Sequence, residues 1–318
     1  MAARFLVAVA FTSVFSLLLV AAGCVSVPQS PSLPTIGVSK SFQSSDGVRL
    51  NYREAGQGRT LIFIPGWTMP AVIFAPQLVE FQYIARVIAF DPRSQGESQT
   101  TLSGHTAERR GRDIAELLDA LAAADQGQGF AAAPPILIGW SLGVLEILAY
   151  LSAHGDTRIA GLVLIDNSIG EAPAPKPSTA LPDGTKVGAF SLADALRVDR
   201  DKTVREFVQA MYRRSQPAAY LEAIALAALA TPLDASLQLL NFGWPRERWR
   251  AAVYATAKPI LYVTTPMWAA QGVNLARQHP AATVVNFSDA GHALFVDESA
   301  RFNELLKQFI NSISSTSH

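Results

Sequence analysis

Short apolar segments and amphipathic segments alternate along most of the chain. Six segments are short and almost continuously apolar, which is typical of strands buried on both faces. They are "TLIFIPG" (60–66), "ARVIAFD" (85–91), "PPILIG" (134–139), "IAGLVLID" (159–166), "KPILYVTT" (258–265) and "ATVVNFS" (282–288). "VRLNYREAG" (48–56) instead alternates with a period of two and ends in glycine, which predicts an exposed strand.

Several segments between these strands have apolar residues at helical spacing. Residues 105–124 carry Ile114, Leu117, Leu118 and Leu121 on one predicted helical face. Residues 267–279 and 301–313 are helix-like as well, and a further apolar helix is predicted after residue 141. This alternation predicts an α/β domain over residues 41–318, with a mostly parallel sheet flanked by helices.

Residues 169 to about 250 interrupt this alternation. A proline-rich stretch, "GEAPAPKPSTALPDG" (170–184), is followed by segments with helical character rather than by a strand. An insertion of this size between two core strands predicts a helical cap over the carboxyl edge of the sheet. Ligands bind at that edge in parallel sheets.

The first 24 residues predict export. Arg4, an apolar run and small residues up to Gly23 form a signal peptide over residues 1–23. "AAGC" resembles the lipobox of bacterial lipoproteins, which predicts a lipidated Cys24 and a flexible Ser/Pro-rich linker over residues 24–40. We expect a lipoprotein anchored on the periplasmic or cell-surface side. A plainly cleaved secreted form and a retained membrane helix are the alternatives.

Composition narrows the function further. The 26 basic and 26 acidic residues balance, so nothing in the charge favours nucleic acid as a partner. A single cysteine excludes an internal disulfide and any site built from several cysteines. No cofactor or metal is implied, and the sequence leaves the oligomeric state open.

"GWSLG" (139–143) fits the G-x-S-x-G turn that presents a nucleophilic serine between a strand and a helix. The glycines on either side provide room for a tight, strained turn. Ser141 then lies at the N-terminus of a helix, where free N–H groups and the helix dipole favour negative charge. The buried strand before the motif and the apolar helix after it supply the context that the motif requires.

A serine needs a general base, and His292 in "SDAGHALFVDES" is the best candidate. It follows the last predicted strand and precedes the final helix. The order of a serine and then a histidine near the C-terminus suits this arrangement of elements. The other four histidines fit less well.

These motifs together resemble the α/β-hydrolase family, over residues 41 to 314. "IPGWT" (64–68) is similar to the oxyanion turn of that family, with Pro65 in place of a histidine. "DPRSQGES" (91–98) is similar to a second family motif, with Ser94 in place of a glycine. The resemblance implies that the backbone N–H groups of Trp67 and Leu142 form the oxyanion hole.

The acid that should orient His292 is harder to predict. The family usually places it after the strand that here is "ILYVTT", but residues 248–288 contain no Asp or Glu. Asp166, at the end of the preceding strand, is the favoured candidate. Glu146 is the alternative, although it lies about 7.5 Å along the helix from Ser141. Asp289, Asp297 and a dyad with no direct acid also remain open.

The sequence therefore predicts a serine hydrolase that cleaves a hydrophobic carboxylic ester or a related acyl compound through an acyl-enzyme. The serine at the turn argues against the family branches that use aspartate as the nucleophile. C–C bond hydrolysis and peptide cleavage are alternatives within the same fold. A non-catalytic protein that senses a small molecule is the alternative from another class, and the missing usual acid is its main support.

Overall fold

The computed structural model describes residues 36–126, 133–173 and 191–315, with side chains described through residue 313. The predicted signal peptide, Cys24 and the linker up to residue 35 lie outside these residues. The same holds for residues 174–190 of the predicted cap.

An eight-stranded sheet forms the centre of the domain, in the order β1-β2-β4-β3-β5-β6-β7-β8. The β1/β2 and β2/β4 pairs are antiparallel, and all the other pairs are parallel. The strands are β1 (Val38–Gln43), β2 (Arg49–Ala55), β3 (Thr60–Ile64), β4 (Arg86–Asp91), β5 (Ile136–Trp140), β6 (Gly161–Ile165), β7 (Ile260–Thr264) and β8 (Ala282–Asn286). Every residue of β3, β5, β6 and β7 is buried, as expected for strands that are covered on both faces.

The helices fall into two groups. One group flanks the sheet: α1 (Ala75–Phe81), α2 (Ala107–Gln126), α3 (Leu142–His154), α9 (Ala269–Gln278), α10 (Leu294–Asp297) and α11 (Ser299–Ser315). The other group lies between β6 and β7 in the chain: α4 (Leu192–Val198), α5 (Arg200–Ala210), α6 (Ala218–Ala230), α7 (Leu233–Leu240) and α8 (Arg246–Tyr254). Helices α4–α8 fall in the segment where the sequence predicts a cap.

The predicted α/β fold with a mostly parallel sheet is confirmed, but some short elements, among them β1 and α1, were not predicted. Strand β1 has a polar sequence, "VSKSFQ", and most of it is exposed at the edge of the sheet. Helix α1 spans only 7 residues after a 3₁₀ turn over Ala71–Phe74. Neither element has the apolar periodicity on which prediction from sequence depends.

The parallel strands bring the predicted motifs to one edge of the sheet. Strands β3, β4 and β5 are parallel, but the chain adds β4 on one side of β3 and β5 on the other, so the strand order reverses at β3. The turn after β3 and the serine after β5 therefore meet at the switch point, where open α/β sheets bind ligands. The segments that follow β6, β7 and β8 emerge at the same edge.

No single helix in the described parts of the chain has both the length and the hydropathy to cross a membrane. Helices α6 and α7 meet those criteria only as a pair, which is bent by 92°.

Buried charges anchor the segment that follows β4. Arg93 is fully buried, and its guanidinium donates to both carboxylate oxygens of Asp113 on α2, at 2.6 and 2.7 Å. It also donates to Asp46, in the turn between β1 and β2, at 2.9 Å. One arginine therefore joins three segments of the chain. Removal of one partner from a buried pair leaves the other charge uncompensated.

We predict that Arg93→Leu lowers the free energy of unfolding by about 3 kcal/mol, because Asp113 then stays buried without its main partner. Urea denaturation followed by circular dichroism measures the change. Arg112→Leu is the matched control. Its side chain is 60% exposed and pairs with Glu116, so a change below about 0.5 kcal/mol is expected. Equal effects of the two substitutions would contradict the prediction.

Candidate active site

Ser141 occupies a strained turn between β5 and α3. Its φ of 53° and ψ of −121° lie outside the regions that serine normally adopts. A Cβ atom at Gly143 would lie 2.4 Å from the carbonyl oxygen of Ile64, and one at Gly139 would lie 2.6 Å from that of Gly143. Both positions therefore require glycine, as the sequence motif predicts. The turn brings the start of α3 directly against the end of β3.

A chain of hydrogen bonds runs from Ser141 through His292 to Asp166. The Oγ atom of Ser141 lies 2.9 Å from Nε2 of His292. The other ring nitrogen, Nδ1, lies 2.7 Å from Oδ2 of Asp166. Asp166 and His292 are 126 positions apart in the sequence, and Ser141 and His292 are 151 positions apart. The fold brings these three side chains together.

Asp166 is buried and its orientation is set by the backbone. Its second oxygen, Oδ1, accepts a hydrogen bond from the Thr265 N–H at 2.7 Å. Its own N–H donates to the Val263 carbonyl at 2.8 Å, and its φ is +47°. A non-glycine residue at positive φ is uncommon and requires support from its surroundings. The end of β7 supplies that support and leaves Oδ2 facing the histidine.

Trp140 also contacts His292. Its indole N–H donates to the His292 carbonyl oxygen at 2.8 Å, and the two ring centroids are 5.0 Å apart. The imidazole is therefore fixed by a carboxylate at one nitrogen and by an aromatic neighbour at its face. It remains partly accessible, with a side-chain exposure of 29%.

The turn after β3 lies against Ser141. A Cβ atom at Gly66 would lie only 2.9 Å from the Cβ atom of Ser141. Among the described residues, the backbone N–H groups of Trp67 and Leu142 have no hydrogen-bond acceptor. An oxyanion hole requires backbone N–H groups that are free to donate, and here one such group lies on each side of Ser141.

The Trp67 side chain contacts the helices between β6 and β7. Its indole N–H donates to the Ser236 carbonyl oxygen on α7 at 2.8 Å. Its ring packs edge-on against Phe207 of α5, with centroids 5.1 Å apart. The side chain therefore links the turn after β3 to these helices, while its backbone N–H remains available.

Glu146 is not brought to His292. It is fully buried, and Oε1 accepts hydrogen bonds from Nε, at 2.9 Å, and Nη2 of Arg110 on α2. Burial raises the pKa of Glu146 to about 7, while the positive charge of Arg110 acts in the opposite direction. The carboxylate that contacts His292 is that of Asp166, and Glu146 belongs to a separate ion pair.

The two acids that flank His292 lie in different environments. Asp289 is exposed, whereas Asp297 is buried. Asp297 accepts hydrogen bonds from the backbone N–H groups of Gly291, at 2.7 Å, Arg213, at 2.8 Å, and Arg214, at 3.2 Å. It therefore joins the loop of His292 to the segment between α5 and α6.

Two residues near the site were missed by the sequence analysis. Asn167 donates from Nδ2 to the Ser141 carbonyl oxygen at 2.8 Å, and so supports the strained turn. Gln95 donates to the carbonyl oxygens of Gly66 and Met69. Position alone could have pointed to Asn167, because it follows Asp166 at the carboxyl edge. Gln95 lies within the "DPRSQGES" motif, but the motif does not indicate its contact with the turn after β3.

Potential metal-binding side chains occur in each of the described ranges 36–126, 133–173 and 191–315. No cluster of three or more His, Cys, Asp or Glu side chains there has a geometry suited to a metal ion. The polar groups around Ser141 include a ring nitrogen of His292 and backbone N–H groups that can donate hydrogen bonds.

We predict that Asp297→Asn loosens the His292 loop, because an amide has one acceptor oxygen where the carboxylate serves three N–H groups. The substitution should lower the free energy of unfolding by about 1–3 kcal/mol. Hydrogen exchange measured by NMR should show faster exchange at the Gly291 and Arg213 amides. The exposed Asp289→Asn is the control and should leave both amides unchanged, so equal protection in the two variants would refute the prediction.

Comparison with known proteins agrees with this architecture. A non-heme chloroperoxidase of Kitasatospora aureofaciens is 27% identical over 176 residues, which span 54% of this chain and 59% of that protein. A non-heme haloperoxidase of Rhodococcus erythropolis is 32% identical over 123 residues, which span 38% of this chain and 42% of that protein. The chain thus spans about half the length of these curated relatives.

A solved structure supports the fold independently. It is that of a candidate aryl esterase from Burkholderia cenocepacia, with a TM-score of 0.72 and 23% identity. The match covers 87% of this chain and 100% of that one. Residues 61–305 also match the model of the Alpha/beta hydrolase family, which is more than half of the chain. This protein belongs to the α/β-hydrolase family.

Proposed function

We propose that this protein is a serine hydrolase that cleaves a hydrophobic carboxylic ester through an acyl-enzyme on Ser141. The observation that carries the proposal is the continuous pair of hydrogen bonds from Ser141 to His292 and from His292 to Asp166. A serine, an imidazole and a buried carboxylate in this order form the arrangement that activates a serine for acyl transfer.

In the first half-reaction, Ser141 Oγ attacks the ester carbonyl carbon while Nε2 of His292 accepts the hydroxyl proton. Asp166 keeps the second ring proton on Nδ1 and stabilises the imidazolium. The oxyanion accepts hydrogen bonds from the N–H groups of Trp67 and Leu142. The imidazolium then donates its proton to the leaving alcohol oxygen as the C–O bond breaks.

In the second half-reaction, a water molecule attacks the acyl carbon. His292 accepts one proton from that water, and the same two N–H groups stabilise the second oxyanion. The bond to Ser141 Oγ then breaks, the proton returns to the serine, and the carboxylic acid leaves. The enzyme is regenerated without any further reactant.

A hydrophobic substrate fits the surroundings of the oxyanion turn. The Trp67 and Phe207 rings pack together beside it, and the first residue of α3, Leu142, is apolar. An aryl or acyl-chain ester would gain apolar contact there. The candidate aryl esterase among the solved structures agrees with that choice. Peptides and C–C bonds are alternative substrates for the same groups.

A second candidate activity is peroxide-dependent halide oxidation, which the names of the two haloperoxidase relatives favour. Hydrogen peroxide would replace water in the attack on the acyl-enzyme and release a peroxy acid. The peroxy acid would then transfer its terminal oxygen to a halide ion, which gives hypohalite and the carboxylic acid. Acetate, bromide and hydrogen peroxide with a brominable dye test this route in the wild type and in Ser141→Ala.

We also propose that the domain is tethered to a membrane on the exported side through a lipidated Cys24. The signal layout of residues 1–23 and the "AAGC" motif support this location. Metabolic labelling with an alkyne fatty acid should mark the wild type and leave Cys24→Ala unmarked.

The activity of Ser141 is tested with a fluorophosphonate probe, which labels an activated serine. We predict rapid labelling of the wild type, none in Ser141→Ala, and a rate lower by about ten-thousand-fold in Asp166→Asn, because the wrong histidine tautomer is then favoured. Asp289→Asn, with its exposed carboxylate, should label at the wild-type rate.

Full labelling of Asp166→Asn together with no labelling of Glu146→Gln would reverse the assignment of the acid. A wild type that is neither labelled nor able to hydrolyse esters, but binds small hydrophobic molecules equally with and without Ser141, would instead indicate a sensor.

A further inference from the structure

A chain of buried polar side chains leads from α3 to the turn after β3. It consists of Glu146, Arg110 and Gln95, whose exposed fractions are 0%, 1% and 1%. The proposed reaction uses none of these side chains. Burial of two charges and an amide is unfavourable unless each group is well paired, so their placement needs an explanation.

Arg110 sets the orientation of the Gln95 side chain. Arg110 is held by Glu146 at Nε and also donates from Nη1 to the Arg93 carbonyl oxygen at 3.1 Å. Its Nη2 donates to Oε1 of Gln95 at 2.7 Å. A guanidinium only donates hydrogen bonds, so the Gln95 oxygen must face Arg110 and its NH₂ group must face away.

The NH₂ group of Gln95 binds both ends of the oxyanion turn. Nε2 lies 3.0 Å from the Gly66 carbonyl oxygen and 2.8 Å from that of Met69. The Gly66 oxygen also accepts the Met69 N–H at 3.2 Å. The two hydrogens of one amide therefore fix the positions of the carbonyl groups that bracket Trp67 and Thr68.

The carbonyl of Gly66 belongs to the same peptide group as the N–H of Trp67. Because a trans peptide is planar, its C=O and N–H point in opposite directions, so fixing one fixes the other. A hydrogen bond accepted by the carbonyl also polarises the peptide and strengthens its N–H as a donor. Gln95 thus acts on the Trp67 N–H from the opposite edge of the same peptide group.

The other end of this series of side chains lies on the helix that carries the second oxyanion donor. Glu146 lies four residues after Leu142, one turn further along α3. The chain from Glu146 to Gln95 therefore connects the helix that carries the Leu142 N–H to the turn that carries the Trp67 N–H. Charge neutralisation of Arg110 by Glu146 keeps this connection in a fixed geometry.

We infer that Gln95, oriented by Arg110 and Glu146, is a positioning residue that aims and strengthens the Trp67 N–H as an oxyanion donor. This inference rests on the proposed hydrolysis at Ser141. Loss of an oxyanion donor lowers kcat by about 10²–10³-fold, and a donor that is only misaligned should cost less, about tenfold.

The kinetic test replaces Gln95 by Leu, which has a similar size but no N–H groups. We expect kcat to fall by about tenfold with KM within about twofold, because the contact acts on the transition state. The affinity for a trifluoromethyl ketone, which forms a tetrahedral oxyanion on the serine, should fall by the same factor as kcat/KM. Gln95→Glu should act in the same direction, because a carboxylate has no N–H for Gly66.

Gln77→Leu is the matched control. Gln77 is equally buried, but its Nε2 donates to the Phe295 carbonyl oxygen and to Asn303, at 2.8 and 2.9 Å. Its loss should lower stability and leave kcat and inhibitor affinity unchanged. Equal falls in kcat for the two variants would mean that Gln95 contributes only to the stability of the fold. That result would overturn the inference.

An NMR measurement tests the same contact without turnover. The chain has five tryptophans, so protein labelled with ¹⁵N-tryptophan gives few backbone amide signals. In Gln95→Leu, the Trp67 amide nitrogen should move upfield, because the hydrogen bond to the preceding carbonyl is lost, and the other four should hold their positions. The Gln77→Leu spectrum should match that of the wild type at Trp67.

Failure of this inference and failure of the proposed function give different results. A wild type that no fluorophosphonate labels would overturn the proposed function, even if the Trp67 signal moves. A labelled, active wild type in which Gln95→Leu changes neither kcat nor the Trp67 signal would overturn this inference and leave the proposed function intact.

Discussion

The close contact between α3 and the end of β3 is the constraint on which the rest of the site depends. Gly143 lies so near the Ile64 carbonyl oxygen that no side chain fits there, and this proximity forces Ser141 into its strained turn. The same contact brings the Trp67 and Leu142 N–H groups to either side of the serine. The pairing of β3 with β5 and the close packing at Gly139 and Gly143 hold this strained geometry in place.

Two buried carboxylates near Ser141 have different roles because their partners differ. Asp166 accepts one backbone N–H and faces an imidazole, so it is suited to hold a histidine tautomer that changes its charge during a reaction. Glu146 faces a permanently charged guanidinium, so it is suited to hold a fixed geometry. Both carboxylates are buried, so burial does not distinguish their roles. The identity of the partner of each carboxylate does.

Features encoded locally were predictable from the sequence, and features that depend on distant partners were not. The apolar core strands and the glycine-flanked serine have short patterns, so the sheet and the turn at Ser141 could be predicted. Strand β1 was missed because its polar residues lie at an exposed edge. The sequence ranked Asp166 above Glu146 from strand positions, but Arg110 as partner of Glu146 is 36 residues away and carries no pattern. Gln95 was missed for the same reason, since its hydrogen bonds join separate loops.

The most direct test of the account is detection of the acyl-enzyme. The protein is mixed with a p-nitrophenyl ester, quenched in acid within the first turnovers and analysed by mass spectrometry. The account predicts a burst of one nitrophenol per active site and a mass increase of one acyl group on the peptide that contains Ser141. Ester hydrolysis without this adduct, and undiminished in Ser141→Ala, would contradict it.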